Sequence, residues 1–353
     1  MNISIIIPTY CRTQDLRRVL DSVFRQHTPV AEVVVVVGPG DAESLAVAKE
    51  WQAKQSALLV VQAERPSVVH AINRGLALAT GEVLCLLDDD VWLPETWAGR
   101  VTAAYTADAQ LGAFGGRDRL KLNQPDCDNP PLAKVVGRFR WNGALQGNHH
   151  CGAVVSPVQV DVIKGCNFSF RRAAFPAMQV EPALESQGAE VGWEVDICQR
   201  VIRAGYHVVY DNEHYVLHYA SPRPEYDDRS NLFSAAWGKR TYNESLMTAK
   251  YRSRRELVLL GLGSFLIGSR VQPGLVWGTL LLAKHRSLRV LGLPWHYARI
   301  FVQGASHGLR LRQSLDDDAR RAAPAAQAPV FSPQYSAANS GAHEHPESPQ
   351  APR

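Results

Sequence analysis

Three consecutive carboxylates, Asp88-Asp89-Asp90, close the apolar run Val83-Leu84-Cys85-Leu86-Leu87. Like charges this close repel one another unless a cation joins them, and a divalent metal is the usual partner. Side chains alternate along extended backbone, so Asp88 and Asp90 can point to one side while Asp89 turns away. The same residues also suit a solvated acidic turn in which Asp90 caps the next helix, since Pro94 fits the first turn of a helix. A second polar group, Asn148-His149-His150, sits near Phe139 and Trp141. An aromatic face with Asn and His donors would suit a sugar, and two adjacent histidines are equally ordinary loop residues.

These residues need elements to hold them. Ile3 to Ile7 is a continuous β-branched run ended by Pro8, Val33 to Val37 is five successive valines closed by Gly38-Pro39-Gly40, and Leu58 to Gln62 and Val83 to Leu87 are similar. Between them, Asp15 to Phe24 (Leu16, Val19, Leu20, Val23) and Val68 to Ala79 carry apolar residues at helical spacing. Short all-apolar strands alternating with helices predict a doubly wound, Rossmann-like α/β sheet, parallel and covered on both faces. Ligands in such sheets bind at the carboxyl ends of the strands, here Pro8 to Arg12, Gly38 to Asp41, and Asp88 to Asp90. No GxGxxG follows the first strand, which argues against a nicotinamide or flavin enzyme. Further on, the pattern predicts a helix from about Glu194 to Ala204 and strands at His207 to Asp211 and His214 to His218.

The 353 residues are 46% hydrophobic and 20% charged, a globular composition sufficient for about two domains. The six cysteines form no CxxC pair or cluster, so a zinc knuckle or disulfide framework is not expected, and free thiols in a reducing compartment are. The start of the chain shows no basic, cleavable leader pattern and reads as cytoplasmic. The net charge of +4 is unevenly spread: residues 239 to 312 hold thirteen Lys or Arg against two acids, Glu244 and Glu256. Within that segment lie two apolar stretches, Leu257 to Ser269 and Val271 to Ala283, parted by Arg270. Each is shorter than the roughly 20 residues that cross a bilayer. Helices lying in the inner leaflet are the expectation, with a true span or a soluble helical subdomain as alternatives. A nucleic-acid partner is not expected, since apolar residues interleave the basic ones and no recognition motif occurs. Residues 313–353 are Ala, Pro and Ser-rich without periodicity and read as a disordered tail.

Five motifs occur in order: Ile5-Ile6-Ile7-Pro8-Thr9-Tyr10 with Arg12; Ala71-Ile72-Asn73-Arg74-Gly75; Leu87-Asp88-Asp89-Asp90; Gly165-Cys166-Asn167-Phe168-Ser169-Phe170-Arg171-Arg172; and Trp193-Glu194-Val195-Asp196-Ile197-Cys198-Gln199-Arg200. Together, over about residues 1–240, they resemble the family 2 glycosyltransferases. The resemblance implies a GT-A fold, with a nucleotide-sugar half at 1–110 and an acceptor half at 111–240; the basic, apolar segment at 241–312, expected from its charge and hydropathy to associate with the membrane, follows it. It implies an inverting hexosyltransferase that uses a nucleoside-diphosphate donor, UDP-sugar by default, and a carbohydrate or lipid-linked acceptor at the cytoplasmic face of the membrane. On this likeness Pro8, Thr9, Tyr10, Arg12, Asp41, Arg65, Asn73, Asp88 and Asp89 would contact the donor nucleotide. Asp90 and His218 would hold Mg2+ or Mn2+ on the diphosphate. Glu194, with Asp196 as the other choice, would be the catalytic base, and Asn148, His149, His150 and Trp193 would lie on the acceptor side.

Two departures stand out. The family's Glu-Asp before x-Asp-Leu is Trp193-Glu194 here, and the Asp pair common after the second strand is reduced to Asp41 in Gly38-Pro39-Gly40-Asp41. The Gly165 to Arg172 segment would lie beside the donor phosphates or the acceptor rim. Two alternatives are a catalytically inactive nucleotide-sugar or glycan-binding module, and a sugar nucleotidyltransferase, which would need a Gly-rich basic loop where Pro8 to Arg12 stands.

Overall fold

The computed structural model describes residues 1–121, 131–185, 190–219, 233–285 and 287–322. Its elements follow the predicted alternation: β1 (Ile3–Thr9), α1 (Thr13–Phe24), β2 (Glu32–Val37), α2 (Ala42–Gln52), β3 (Leu58–Gln62), α3 (Val68–Leu78), β4 (Val83–Leu86), β5 (Val91–Trp92), α4 (Trp97–Ala107) and β6 (Leu111–Leu120). Short strands β7 (Arg138–Phe139), β8 (Leu145–Gln146) and β9 (Val158–Gln159) lead to β10 (Phe168–Arg171), α5 (Trp193–Arg203) and β11 (His207–His218). Four helices complete the described chain: α6 (Ala235–Tyr251), α7 (Arg254–Leu266), α8 (Leu275–His285) and α9 (Leu293–Ala322).

The main sheet runs β3-β2-β1-β4-β10-β6-β11-β5, with β9 on β11. β1 to β4 are mutually parallel, and β10 enters antiparallel between β4 and β6. Strand alternation divides the core in two: Ile6, Val34, Val36, Leu84 and Leu86 pack on one face, and Ile5, Ile7, Val33, Val35, Val37 and Cys85 on the other. That explains the unbroken apolar runs, because both faces are buried.

The two expected strands near residue 210 are one, β11, with an irregularity between Asp211 and Val216 where Gly116 of β6 presses against the His214 carbonyl. α6 runs unbroken across residue 240, where the sequence suggested a boundary, and packs its Lys250 and Tyr251 on the sheet domain. The apolar stretches 257–269 and 271–283 are separate helices, α7 and α8, joined through a turn at Gly268, whose φ of +68° favours glycine. Among the described residues no helix is long and apolar enough to cross a membrane. The expected tail from 313 begins inside α9, and 323–353 lie outside the described residues. Of the six cysteines, Cys127 also lies outside them, and the other five are free.

Candidate active site

The parallel strands deliver three loops to one edge of the sheet. β1 ends at Thr9, whose hydroxyl donates to Asp89 Oδ2 at 2.8 Å. Arg12, at the start of α1, pairs through Nη1 with Asp89 at 2.9 Å and with Asp90 at 3.4 Å. Asp89 is therefore turned toward the β1 loop, from a turn that follows the end of β4 at Leu86. Burial pushes its carboxyl up, and Arg12 and the Thr9 hydrogen bond oppose that rise.

Asp88 and Asp90 converge on a further partner. Their carboxylate oxygens and a ring nitrogen of His218, from the end of β11, lie within 4.8 Å of one another. His218 Nε2 sits 3.1 Å from Asp90, and its Nδ1 sits 2.8 Å from Asp118 on β6. Asp118 in turn pairs with Lys164. Burial would lower the imidazole, but Asp118 and Asp90 outweigh it and hold the ring cationic. Burial likewise raises Asp118, yet His218 and Lys164 bring it down to about 2. Asp88 is raised by burial and then by the charge of Asp90.

Two carboxylates converging with an imidazole whose far nitrogen is oriented by a carboxylate would form a donor set that suits Mg2+ or Mn2+, with the ring giving up its Nε2 proton when the cation takes the place between it and Asp90. A second convergence, Asp118, Cys166 and His218, suits a metal less. Burial pushes the Cys166 thiol up to about 12, so it remains neutral, and Lys164 already occupies Asp118.

Glu194 enters from α5. The helix begins after Gly192, whose φ of +98° places it in the left-handed region. Its first turn approaches Gly165 so closely that a Cβ there would lie 2.2 Å from the Trp193 ring and 3.2 Å from Glu194 Oε1. Glycine at 165 thus permits the docking of α5. Burial pushes the Glu194 carboxyl up to about 7; a hydrogen bond from its own backbone opposes the rise, the charge of Asp88 adds to it, and the backbone N–H groups of Gly192 and Gly165 oppose it further. A carboxylate with that affinity can take a proton near neutral pH.

The remaining candidates have other partners. Asp196 is fully buried, accepts from Lys250 Nζ at 2.8 Å, Arg200 Nε at 3.2 Å and the Glu181 N–H at 2.9 Å, and also bonds the Tyr251 hydroxyl. It fastens α5 to α6 and is not brought to the Asp88 cluster. Asp41 caps α2 through the Ser44 N–H and receives the Cys11 N–H, so both its oxygens hold the β1 loop against α2. Tyr10 lies over Gly38, where a Cβ would meet its ring at 2.3 Å. Asn73 exchanges two hydrogen bonds with the Val180 backbone, and Arg65 is exposed. Pro8 is within β1, paired with Val36.

Trp193 is core, edge-on to Phe168 at 5.9 Å. His149 is buried against Tyr210 with Nε2 on the Val162 carbonyl, and burial lowers it to about 4. Asn148, at a φ of +57°, bonds the Val135 carbonyl, and only His150 of that trio is exposed. In the 165–172 segment, Asn167 joins Trp97 to the His214 carbonyl, and Arg171 and Arg172 cap backbone carbonyls of Tyr105, Leu111, Ala79 and Gly81. Asp118 and Lys164 escaped the sequence reading. Their signal was faint: a lone charged alternation, Arg117-Asp118-Arg119, after an apolar strand.

A mostly parallel α/β sheet thus carries a carboxylate–imidazole cluster at its strand ends, with a separate raised carboxylate on α5. Residues 4–175 match the profile described as "Glycosyl transferase family 2". The chain therefore carries a family 2 glycosyltransferase domain. An uncharacterised glycosyltransferase of Nostoc sp. is 32% identical over 142 residues, 38% of this chain and 44% of that one. The chain thus spans less than half the length of that relative. A glucosyl-dolichyl phosphate glucuronosyltransferase of Haloferax volcanii is 23% identical over 62% of this chain and 69% of its own. Among solved structures, GalNAc-T7 with UDP, GalNAc and Mn2+ aligns with a TM-score of 0.55 at 18% identity, covering 72% of this chain and 49% of that chain. The fold is GT-A.

Proposed function

We propose that the protein is an inverting glycosyltransferase that moves a hexosyl group from a nucleoside-diphosphate donor, UDP by default, to a hydroxyl of a glycan or lipid-linked acceptor. The observation that carries this reading is the convergence of Asp88, Asp90 and His218 at the sheet edge, with the charge of Asp88 acting on Glu194. The family membership supports it, as does the Mn2+ and UDP in the GalNAc-T7 structure.

Asp90 and His218, with Asp88, would hold the divalent cation. Bound there, the cation would neutralise charge building on the leaving diphosphate. Arg12 and Thr9 fix Asp89 and so shape the nucleotide side of the cleft. Asp118 and Lys164 keep the His218 ring in one orientation. Glu194 takes the proton of the attacking hydroxyl, and its carboxyl near 7 suits the transfer at neutral pH. A base on a separate element from the metal-holding carboxylates supports in-line displacement, and hence inversion.

The membrane half of the proposal rests on the C-terminal helices. On α7, Val258, Leu262 and Leu266 are exposed one turn apart, and Val276 and Leu280 repeat this on α8. Leu288 is 77% exposed and Trp295 66%. Exposed Arg254, Arg255, Arg270, Lys284 and Arg289 surround them. Apolar side chains ringed by cations suit the anionic inner leaflet, with the protein lying on the bilayer. The relative that acts on glucosyl-dolichyl phosphate supports a lipid-linked acceptor.

The test is a screen of UDP-sugars for nucleotide release with native membrane lipids as acceptor, with and without Mn2+. Metal-dependent release that requires lipid supports the reading. Nucleotide binding with no transfer to any acceptor would favour the inactive binding module.

A further inference from the structure

We propose that the cavity between α6 and α9 is a binding site for the phosphate headgroup of a membrane lipid. The two helices pack closely, with Gly238 against Ile300 and Gly304 against Tyr242, and beside this seam the first two turns of α6 and the facing side of α9 line a cavity of about 960 Å3. Three features of its wall select an amphipathic anion.

The first is charge. Lys239 and Arg310 reach it from opposite helices, and neither has an ion-pair partner among the described residues. Among the described residues Glu185 is the acidic group lining it. The second is the start of α6 itself: Ser234 and Ala235 line the cavity, so the positive end of a 17-residue helix faces the same space. Further hydrogen-bonding groups complete the polar side, with the Tyr242 hydroxyl held 2.6 Å from His307 Nδ1.

The third is an apolar wall of Leu293, Tyr297 and Ile300 on α9. That wall continues onto exposed Val302, which lines the cavity, and α9 also carries Trp295 of the surface assigned above to the bilayer. A phosphate in the polar half would leave its hydrocarbon chain pointing along α9 toward that surface. A free phosphate would use only half the site, whereas a single-chain or prenyl phosphate uses both. The proposal rests on the membrane half of the preceding section and is independent of the donor site.

The cavity is near the catalytic helix in the chain's own bracing. Asn243, next to Tyr242 on α6, accepts from the Glu185 N–H at 2.8 Å and donates to the carbonyls of Glu185 and Val191, just before α5. A lipid phosphate held here would lie beside the segment that positions Glu194.

The experiment uses the full chain and three probes in calorimetric titration: dodecyl phosphate, dodecyl maltoside and inorganic phosphate. Dodecyl phosphate should bind saturably, with both other probes about tenfold weaker or more. Lys239→Gln with Arg310→Gln should weaken dodecyl phosphate by about tenfold or more, while UDP binding stays at the wild-type value. Ser306→Trp, which obstructs the cavity without removing either cation, should do the same. Cosedimentation with vesicles then separates this site from the surface: the double variant should keep the binding to phosphatidylglycerol vesicles that the exposed cations of α7 and α8 support, and lose the tighter binding of the wild type to vesicles in which phosphatidic acid replaces phosphatidylglycerol. Dodecyl phosphate binding no tighter than dodecyl maltoside, or unchanged in both variants, overturns the proposal. Inorganic phosphate binding as tightly as dodecyl phosphate overturns its lipid half. Loss of UDP binding in the wild type would instead count against the donor site.

Discussion

Two groups of carboxylates lie on either side of α5, and they are paired very differently. Behind the helix, Asp196 and Glu181 meet Lys250 and Arg200, with the Tyr251 hydroxyl also on Asp196. Burial would raise Asp196, but Lys250 and Arg200 hold it below the usual range. In front, Asp88 and Glu194 are raised: burial and then Asp90 raise Asp88 against the weaker opposing charges of His218 and Lys164, burial and Asp88 raise Glu194, and among the described residues neither makes an ion pair with a lysine or arginine. Two residues of one helix, Glu194 and Asp196, therefore differ by which group they join. Saturated pairing marks a brace, and convergence of under-compensated carboxylates marks a place prepared for a ligand.

The comparison is most sharply broken by substitution. Asp90→Ala and Glu194→Gln should each lower kcat by about 10^2 to 10^4 while leaving the unfolding midpoint near wild type. Lys250→Ala should do the reverse: leaving Asp196 and Glu181 short of a buried cation costs about 3–5 kcal/mol of stability, with kcat per folded molecule little changed. A stable, inactive Lys250→Ala beside an unstable, active Glu194→Gln would invert the two assignments.

A smaller effect comes from pH. Glu194 must be ionised to accept a proton, so kcat/KM should fall as pH drops through about 7. Glu194→Gln should flatten that limb, and an unaltered limb in the variant would place the titration elsewhere.

The smallest expected effect concerns stability at acid pH. Burial lowers His149 to about 4 and His214 to about 3, below the usual value of about 6.5 in an unfolded chain. Their neutral folded forms are favoured in full above pH 6.5, and stability is lost as pH falls because the unfolded chain takes up the protons. His214 stacks between Trp97 at 5.2 Å and Phe114 at 4.6 Å, and its ring nitrogens have no hydrogen-bond partner among the described residues. His214→Phe should therefore raise the melting temperature at pH 5 by a few degrees, about 4 °C per kcal/mol or less in a chain this size. A loss of stability at pH 5 would show that the ring makes polar contacts that matter.

The first hundred residues were legible because β-branched runs and helical periodicity state both the element and the face it buries. Asp88, Asp90, His218 and Glu194 followed from motif order, and the structure brings the first three together and sets the charge of Asp88 against Glu194. The pairing of His218 with Asp118, and of Asp118 with Lys164, was not legible, because it joins positions 100 and 46 residues apart in the chain, through sheet register that a single sequence does not display. Asp41, Asn73 and His149 carry residue types suited to ligands, yet their capacity is spent on backbone groups of neighbouring loops. At the other end, hydropathy registered the apolar stretches 257–269 and 271–283, but the turn at Gly268 and the packing of α6 on α5 decided that they form two surface helices.

The central claim is that Asp88, Asp90 and His218 hold a divalent cation on a donor diphosphate. Calorimetric titration of UDP into the wild type and Asp90→Ala, each with and without Mn2+, tests it directly. The account predicts binding that Mn2+ strengthens in the wild type and leaves unchanged in Asp90→Ala. Equal strengthening by Mn2+ in both proteins, or UDP binding to folded wild type under neither condition, would contradict it.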